Sequence, residues 1–301
     1  MGKEYHTIII GAGVAGMTAA LYLKRRDKNI LIFEKEAPGG QIIRTSSIEN
    51  YPGYSKIEGP DLAMKMYEQI TELGIQTNFQ EVVSIEYLED KTFQVETKTE
   101  VYRCKHLIIA IGRTPKKLMI PNEEKLSGKG ISWCAICDGP LYKNKKVAVI
   151  GGGRSALEET IYLSEICSEV TLIHRRDEFR AENSLVESVK SLPNTTIILN
   201  DNVVEFIEKD NHLSMLRLQS GKEITVDGCF EFIGQEPNTA IFKELGILDN
   251  EGYIIVNEKL ETSIKNIYAC GDCIKKDLYQ IITACAEGAI VAEQILKNEK
   301  K

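Results

Sequence analysis

One pattern occurs twice in this chain, and the two copies are in step. Residues 6–10 form an apolar run that leads into Gly11-Ala12-Gly13-Val14-Ala15-Gly16. A helical pattern follows (Met17, Ala20, Leu21, Leu23), and then a second apolar run, 29–33, that ends at Glu34. Further on, residues 146–150 lead into Gly151-Gly152-Gly153-Arg154-Ser155-Ala156, a helical pattern with Leu157, Thr160 and Leu163, and a strand at 170–173 that ends at His174. Glu34 lies 23 residues after Gly11, and His174 lies 23 residues after Gly151. A strand, a glycine turn and a helix in this order let a pyrophosphate approach the helix N-terminus closely, and the residue at the end of the next strand meets the ribose. The chain is therefore constrained to two βαβ dinucleotide-binding units.

The segment after each unit is repeated as well. Residues 75–106 alternate apolar and polar side chains (Val82, Ile85, Phe93, Val95, Val101), which reads as an antiparallel β-ribbon, and residues 196–226 do the same. Buried strands at Leu107–Ala110 and Phe230–Phe232 close the two halves, each followed by Ile-Gly and then a proline (Pro115, Pro237). The remainder predicts a short helix near 241–245, strands at 253–256 and 267–269, and a long helix from Gln280 to about Leu296. The fold class expected is α/β: two Rossmann-like three-layer (ββα) dinucleotide-binding domains with β-ribbon insertions.

The ribose-reading positions differ between the copies. Glu34 suits a free 2′-hydroxyl and repels a 2′-phosphate. His174 is followed by Arg175, Arg176 and Arg180, whose guanidinium forks suit a phosphomonoester. The first unit should hold FAD or NAD(H), and the second NADP(H). Between them lies Trp133-Cys134-Ala135-Ile136-Cys137-Asp138-Gly139-Pro140. A nicotinamide gives up a hydride and a disulfide takes two electrons through thiolates, so a flavin in the first unit is the sensible intermediary.

Composition narrows the class. A net charge of −7 argues against nucleic acid or an anionic membrane surface as partner. No apolar stretch approaches the ~20 residues of a membrane span. The N-terminus runs directly into a strand without room for a signal peptide, which predicts a cytoplasmic protein. Eight cysteines among 301 residues are too few for a disulfide scaffold, so a C-x-x-C reads as catalytic or metal-binding. Cys270-Gly271-Asp272-Cys273 is a second C-x-x-C, read as small-residue packing. With Cys134 and Cys137 it could formally ligate zinc, but a bound zinc would block the flavin, so no metal is expected. Cys104, Cys167, Cys229 and Cys285 read as buried thiols, and His6, His106 and His212 as structural or exposed.

These motifs resemble those of the low-molecular-weight, bacterial-type thioredoxin reductases, and the likeness covers essentially all of the chain. The residues that carry it are GAGVAG at Gly11, PGGQ at Pro38, IENYPG at Ile48, CAICDG at Cys134, GGGRSALEE at Gly151, HRRDEFRA at His174 and YACGD with the following Gln280-Ile281-Ile282. The resemblance implies a discontinuous FAD domain at 1–116 and 246–301, with an NADPH domain at 117–245 that carries the redox pair. It implies a homodimer with thioredoxin as its protein substrate. Cys137 would face the flavin, Cys134 would attack the thioredoxin disulfide, and Asp138 would move the proton. FAD would lie on Gly11, Gly13, Gly16, Glu34, Gly39, Gly40, Gln41, Thr45, Asn50, Val83, Ala110, Gly112, Gly271, Asp272, Gln280 and Ile281. NADPH would lie on Gly151, Gly153, Arg154, Ser155, His174, Arg175, Arg176, Arg180, Ile233 and Gly234. The family also rotates its NADPH domain so that nicotinamide and dithiol alternate at the flavin.

The chain departs from the family pattern at Arg154, where Asp or Asn is usual, and at Tyr279, where Arg is usual. Arg154 either adds a phosphate contact or disturbs the usual one. Rival readings are a dithiol oxidase or ferredoxin-dependent reductase of the same fold, and a flavin-binding sensor without turnover.

Overall fold

The computed structural model describes residues 3–45 and 47–299. Internal contacts divide the chain into two units, one of residues 1–43, 59–114 and 236–301, the other of residues 44–58 and 115–235. The first opens with β1 (Lys3–Ile10), α1 (Val14–Lys24) and β2 (Ile30–Phe33), then α2 (Gly59–Glu72), β3 (Gln76–Asn78), β4 (Val82–Tyr87), β5 (Phe93–Thr97) and β6 (Val101–Ile109). After β7 (Arg113–Pro115) come β8 (Ile131–Ser132), α3 (Ala135–Asp138), β9 (Lys146–Ile150), α4 (Arg154–Ile166), β10 (Glu169–His174), α5 (Asn183–Lys190) and β11 (Thr195–Leu199). The second unit continues with β12 (Val203–Lys209), β13 (His212–Leu218), β14 (Glu223–Thr225) and β15 (Gly228–Glu231), and the chain returns through β16 (Gln235–Pro237) to β17 (Ile267–Ala269) and α6 (Ile281–Asn298).

In the first unit β3, β2, β1, β6 and β17 are parallel, and β6 continues into the antiparallel β5 and β4. The ribbon expected over 75–106 is thus shorter, because β3 joins the parallel edge beside β2. The strand expected at 253–256 is reduced to isolated bridges from Ile254 to Leu248 and Ile274. Helix α6 covers α1 at close range: a Cβ on Gly288 would fall 2.3 Å from the Ala15 carbonyl oxygen. No helix among the described residues is long and apolar enough to cross a membrane.

The second unit has a five-stranded parallel sheet, β11-β10-β9-β15-β8, and a separate antiparallel sheet, β12-β13-β14. Alternation along β9 builds its layers. Ala148 and Ile150 pack with Phe206, Leu213 and Leu216 of the antiparallel sheet. Val147 and Val149 pack with Ala156, Leu157 and Leu163 of α4. Burying each such large apolar side chain contributes roughly 1.5–3 kcal/mol, so both faces of the sheet hold the strand ends in fixed positions.

The glycine turns follow from space as much as from torsion. Gly11 has φ +105°, and a Cβ there would sit 2.4 Å from the Ala110 carbonyl oxygen. Gly151 has φ +154°, and its Cβ would sit 2.5 Å from the Phe232 carbonyl oxygen. In both units the first glycine lets the turn pass against the strand that closes the half, which sets the helix N-terminus at the C-terminal edge of the sheet.

Candidate functional site

Cys134 and Cys137 are joined in a disulfide, with Cα atoms 5.3 Å apart. Cys134 is the N-cap of the single-turn α3, and its sulfur accepts from the Cys137 amide at 3.2 Å. Asp138 follows at the end of that turn. Its Oδ2 accepts from the Ser132 hydroxyl at 2.6 Å, and the same hydroxyl oxygen accepts from the Cys134 amide at 3.1 Å. Asp138 Oδ1 is buried and has no hydrogen-bond partner among the described residues. Burial raises the carboxyl above its ordinary range, against the opposing Ser132 hydrogen bond. The site therefore sets a half-buried acid, with one buried and unpaired oxygen, beside a disulfide. Ser132 was missed in the sequence, although its place two residues before Cys134 is a readable signal.

Trp133 is tied into the unit through its indole, which donates to Glu231 Oε2 at 3.1 Å. Glu231 is 1% exposed and Glu123 3% exposed. Burial first, and then the charge and hydrogen bond of Glu123, push the Glu231 carboxyl up to about 9. Glu123 in turn accepts from the amides of Leu118 and Met119 at 2.9 and 2.6 Å. Among the described residues Glu231 Oε1 finds no donor, as expected of a carboxyl that carries its own proton. Nothing in the sequence marks this pair of buried acids.

At the second glycine turn, α4 begins at Gly153 with no side-chain cap, and a Cβ on Gly153 would meet nothing within 4 Å. Its first amides are open to an anion. Ser155 is exposed on the first turn of α4. His174 is buried under the turn: a Cβ on Gly152 would fall 2.2 Å from its ring. The ring stacks on Phe179, and its Nε2 lies 3.1 Å from the Glu178 carbonyl oxygen. Arg175, Arg176 and Arg180 are exposed around it, near enough to help lower its pKa after burial and against the Glu178 contact. The Arg180 amide donates to the Gly152 carbonyl oxygen at 2.7 Å, which draws this corner onto the glycine turn. Arg154 differs from the other three. Its guanidinium meets Glu158 and Glu182, both at 2.8 Å, so it is already neutralised. Ile233 is half-buried beyond β15, and Gly234 is exposed beside it.

The first unit gathers most of its predicted residues at one end of its sheet. Helix α1 begins at Gly13, again without a side-chain cap. Glu34 Oε2 accepts from the Ala12 amide at 2.8 Å, and Oε1 accepts from the Glu36 amide at 2.8 Å, which fixes the carboxylate beside the turn. The Gly39 amide donates to the Ala12 carbonyl oxygen at 2.8 Å, and Gly40 lies against Gly13. Gly16 packs on Gly11 and Ala110, and Gly271 approaches Ala15. Gln41 donates to the Arg113 carbonyl oxygen. A register shift between Val82 and Ser84 leaves Val83 out of the β4–β5 ladder, so its main-chain groups are not committed to that ladder. Gly112 has open space at its Cβ position. Gln280 is the N-cap of α6, reciprocally bonded with Thr283, and Ile281 follows. Thr45 and Asn50 lie on segment 44–58, which belongs to the other unit.

Asp272 Oδ1 is buried and makes no hydrogen bond among the described residues, where its nearest cation is Lys276 Nζ at 3.4 Å. Lys276 also pairs with Glu287 at 2.8 Å, and Glu287 accepts from the Gly271 amide at 2.7 Å. Tyr279 lies under Arg113, whose guanidinium carbon is 3.5 Å from the ring centroid. Arg113, Lys276 and Glu287 were not singled out in the sequence. Cys270 and Cys273 are fully buried free thiols, and burial raises both, Cys273 to about 12. The Cys273 thiol donates to the Ile109 carbonyl oxygen at 3.4 Å. Cys104, Cys167 and Cys229 are buried as expected, whereas Cys285 is only half-buried because it lies on the partly solvated face of α6.

Residues 5–288 match the family described as pyridine nucleotide-disulphide oxidoreductase. The chain is 40% identical over 301 residues to a thioredoxin reductase of Listeria innocua serovar 6a, covering 98% of this chain and 94% of the relative. It is 38% identical over 299 residues to a thioredoxin reductase of Bacillus subtilis, covering 97% and 94%. Among solved structures, the thioredoxin reductase from Streptococcus pyogenes MGAS5005 is similar with a TM-score of 0.95 at 39% identity, covering 100% of this chain and 99% of that one.

Proposed function

The chain belongs to the pyridine nucleotide-disulphide oxidoreductase family, and from that premise we propose that it is an NADPH-dependent, FAD-containing thioredoxin-disulfide reductase. The observation that carries the reading is the Cys134–Cys137 disulfide with Asp138 beside it, in the same unit as a glycine turn ringed by three arginines. The thioredoxin reductases to which the chain is similar over nearly their full length support it. The reading extends to a homodimer working in the cytoplasm, with residues 1–116 and 246–301 serving FAD and residues 117–245 serving NADPH.

The residues present fit both groups. The uncapped N-terminus of α1 and the fixed Glu34 carboxylate suit a pyrophosphate and an unphosphorylated ribose. The buried, unbonded Asp272 Oδ1 suits a polyol hydroxyl. The open Gly153 and the arginines at 175, 176 and 180 suit a second pyrophosphate and a 2′-phosphate. When bound, FAD would accept a hydride equivalent from NADPH and supply two electrons to a disulfide.

The chain's own part is to manage thiolates and protons. Reduction of Cys134–Cys137 by two electrons leaves two sulfurs that need one proton between them to give a thiol and a thiolate. The Cys137 amide, already aimed at Cys134 Sγ, stabilises negative charge there. Cys134 Sγ then attacks the partner's disulfide, forming a mixed disulfide and releasing a partner thiolate. Asp138, kept in reserve as an acid by burial, gives that thiolate its proton. Asp138, now ionised, takes the Cys137 thiol proton as Cys137 Sγ attacks Cys134 Sγ; the ring disulfide re-forms, and the second partner sulfur leaves as a thiolate that receives that proton. The test is anaerobic mixing with NADPH or NADH, followed by oxidised thioredoxin. NADPH should bleach the yellow flavin spectrum and thioredoxin should restore it. A spectrum that does not bleach rules out NADPH as the donor.

A further inference from the structure

At the opposite end of the first unit's sheet, three side chains with metal-binding atoms converge. His6 lies on β1 and His106 on the adjacent β6, where Thr7 is in register with His106. Glu299 is the C-cap of α6. His6 Nε2 lies 2.5 Å from Glu299 Oε1, and His106 Nε2 lies 3.6 Å from the same oxygen. One donor atom from each residue falls within 4.8 Å of the others. Donors on a tetrahedral zinc with bonds of 2.0–2.1 Å are roughly 3.3 Å apart, so modest side-chain movement makes room for an ion. From His6 to the glycine turn, β1 runs about 16 Å, which separates the cluster from the nucleotide end of the same sheet.

Two features beyond proximity point to a ligand. His6 Nδ1 lies 2.8 Å from the hydroxyl of Thr7, a fully buried residue, and this fixes the ring with Nε2 facing Glu299. Such an outer bond is how ligating imidazoles are held in orientation. His106 is 6% exposed and presents its Nε2 toward Glu299 Oε1 at 3.6 Å, although its Nδ1 has no hydrogen-bond partner among the described residues and so lacks the outer bond that His6 has. One cation opposes binding: Lys28 Nζ is 2.5 Å from Glu299 Oε2.

We propose that His6, His106 and Glu299 form a Zn²⁺ site of two imidazoles and a carboxylate with an open fourth position, in place of the ion pair that Lys28 now makes with Glu299. This departs from the expectation of no metal, which considered only the cysteines. By bridging β1, β6 and the end of α6, the ion would pin the C-terminal helix to the sheet without touching the redox chemistry.

The experiment uses tag-free, FAD-loaded, oxidised protein stripped with chelator, so that Cys134 and Cys137 offer no thiolates. Zn²⁺ alone is titrated by calorimetry and by competition with a chromophoric chelator, and Co²⁺ is added to read coordination from its visible spectrum. One ion per chain is expected. His6→Ala and Glu299→Gln, both at partly solvated positions, should each weaken binding at least about tenfold. Lys28→Met should tighten it by about tenfold, because the competing charge is gone. No binding by the wild-type chain overturns the proposal. So does affinity unchanged in His6→Ala and Glu299→Gln, or a Lys28→Met variant that binds no more tightly.

Discussion

Glu231→Gln should stabilise the protein, and by an amount that grows with pH. The native carboxyl titrates at about 9, raised first by burial and then by Glu123, whereas an unfolded glutamate titrates near 4.3. Between those values the native state holds a proton that the unfolded chain releases. Stability from this group is therefore lost as pH rises, by about 1.4 kcal/mol per pH unit. From pH 6 to pH 8 that amounts to about 2.7 kcal/mol. Glutamine keeps the acceptor for the Trp133 indole and an N–H for Glu123, and it does not titrate. The advantage of the variant should therefore widen by about 2.7 kcal/mol over the same interval, or by roughly 5–10 °C in Tm at 2–4 °C per kcal/mol. Trp133 is the only tryptophan of the chain and touches the substituted residue. Its fluorescence during urea unfolding at pH 6, 7 and 8 follows the unit concerned. A stability difference that is the same at pH 6 and pH 8 would show that Glu231 is ionised in the native state, and the account of a buried, protonated Glu231 would fail.

Three further outcomes are expected at the site. Asp138→Asn should leave flavin reduction by NADPH unchanged but slow thioredoxin turnover about 10²-fold; its pH profile should also lose the limb expected of the wild-type chain from ionisation of the Asp138 carboxyl, which burial raises above its ordinary range. Replacing Arg175, Arg176 and Arg180 together by alanine should raise KM for NADPH but not for NADH, lowering the preference about 10²-fold, whereas Arg154→Ala should have little effect because Glu158 and Glu182 already hold that charge. Gly152→Ala should cost about 1–3 kcal/mol by driving a methyl into the His174 ring, read as a lowered urea midpoint, and a second change, His174→Ala, should recover part of it.

The repeat made the fold readable because glycine turns, apolar runs and their spacing are local, and both units are built from them. Local signals also located the redox pair: two cysteines three residues apart with an acid next to them need no distant partner to be recognised. The features that stayed hidden depend on tertiary placement. Glu123 and Glu231 look like any surface acids until β15 and the loop before β8 enclose them. Glu299 sits in what reads as a solvated tail, yet it meets His6, His106 and Lys28 once α6 crosses the sheet. The strand expected at 253–256 failed for a similar reason. Ile254 and Val256 pack into the core and Ile255 faces solvent, while the backbone makes only isolated bridges at Ile254.

The in-step offsets illustrate how position and role can part. Glu34 and His174 occupy equivalent places after equivalent turns, and both hold the turn together. Glu34 does so with its carboxylate on the Ala12 amide, beside an uncapped helix start. His174 does so with its ring beneath Gly152. A carboxylate in that place still presents charge to a ribose, whereas a buried imidazole presents none. On the proposed function, discrimination in the second unit falls to groups that reach solvent at the same corner, the guanidiniums of Arg175, Arg176 and Arg180. The duplicated architecture thus keeps the support of the turn at one position, and under the proposed function it moves nucleotide selection to the residues just beyond it, so that two copies of one unit would distinguish two nucleotides without a change in backbone design.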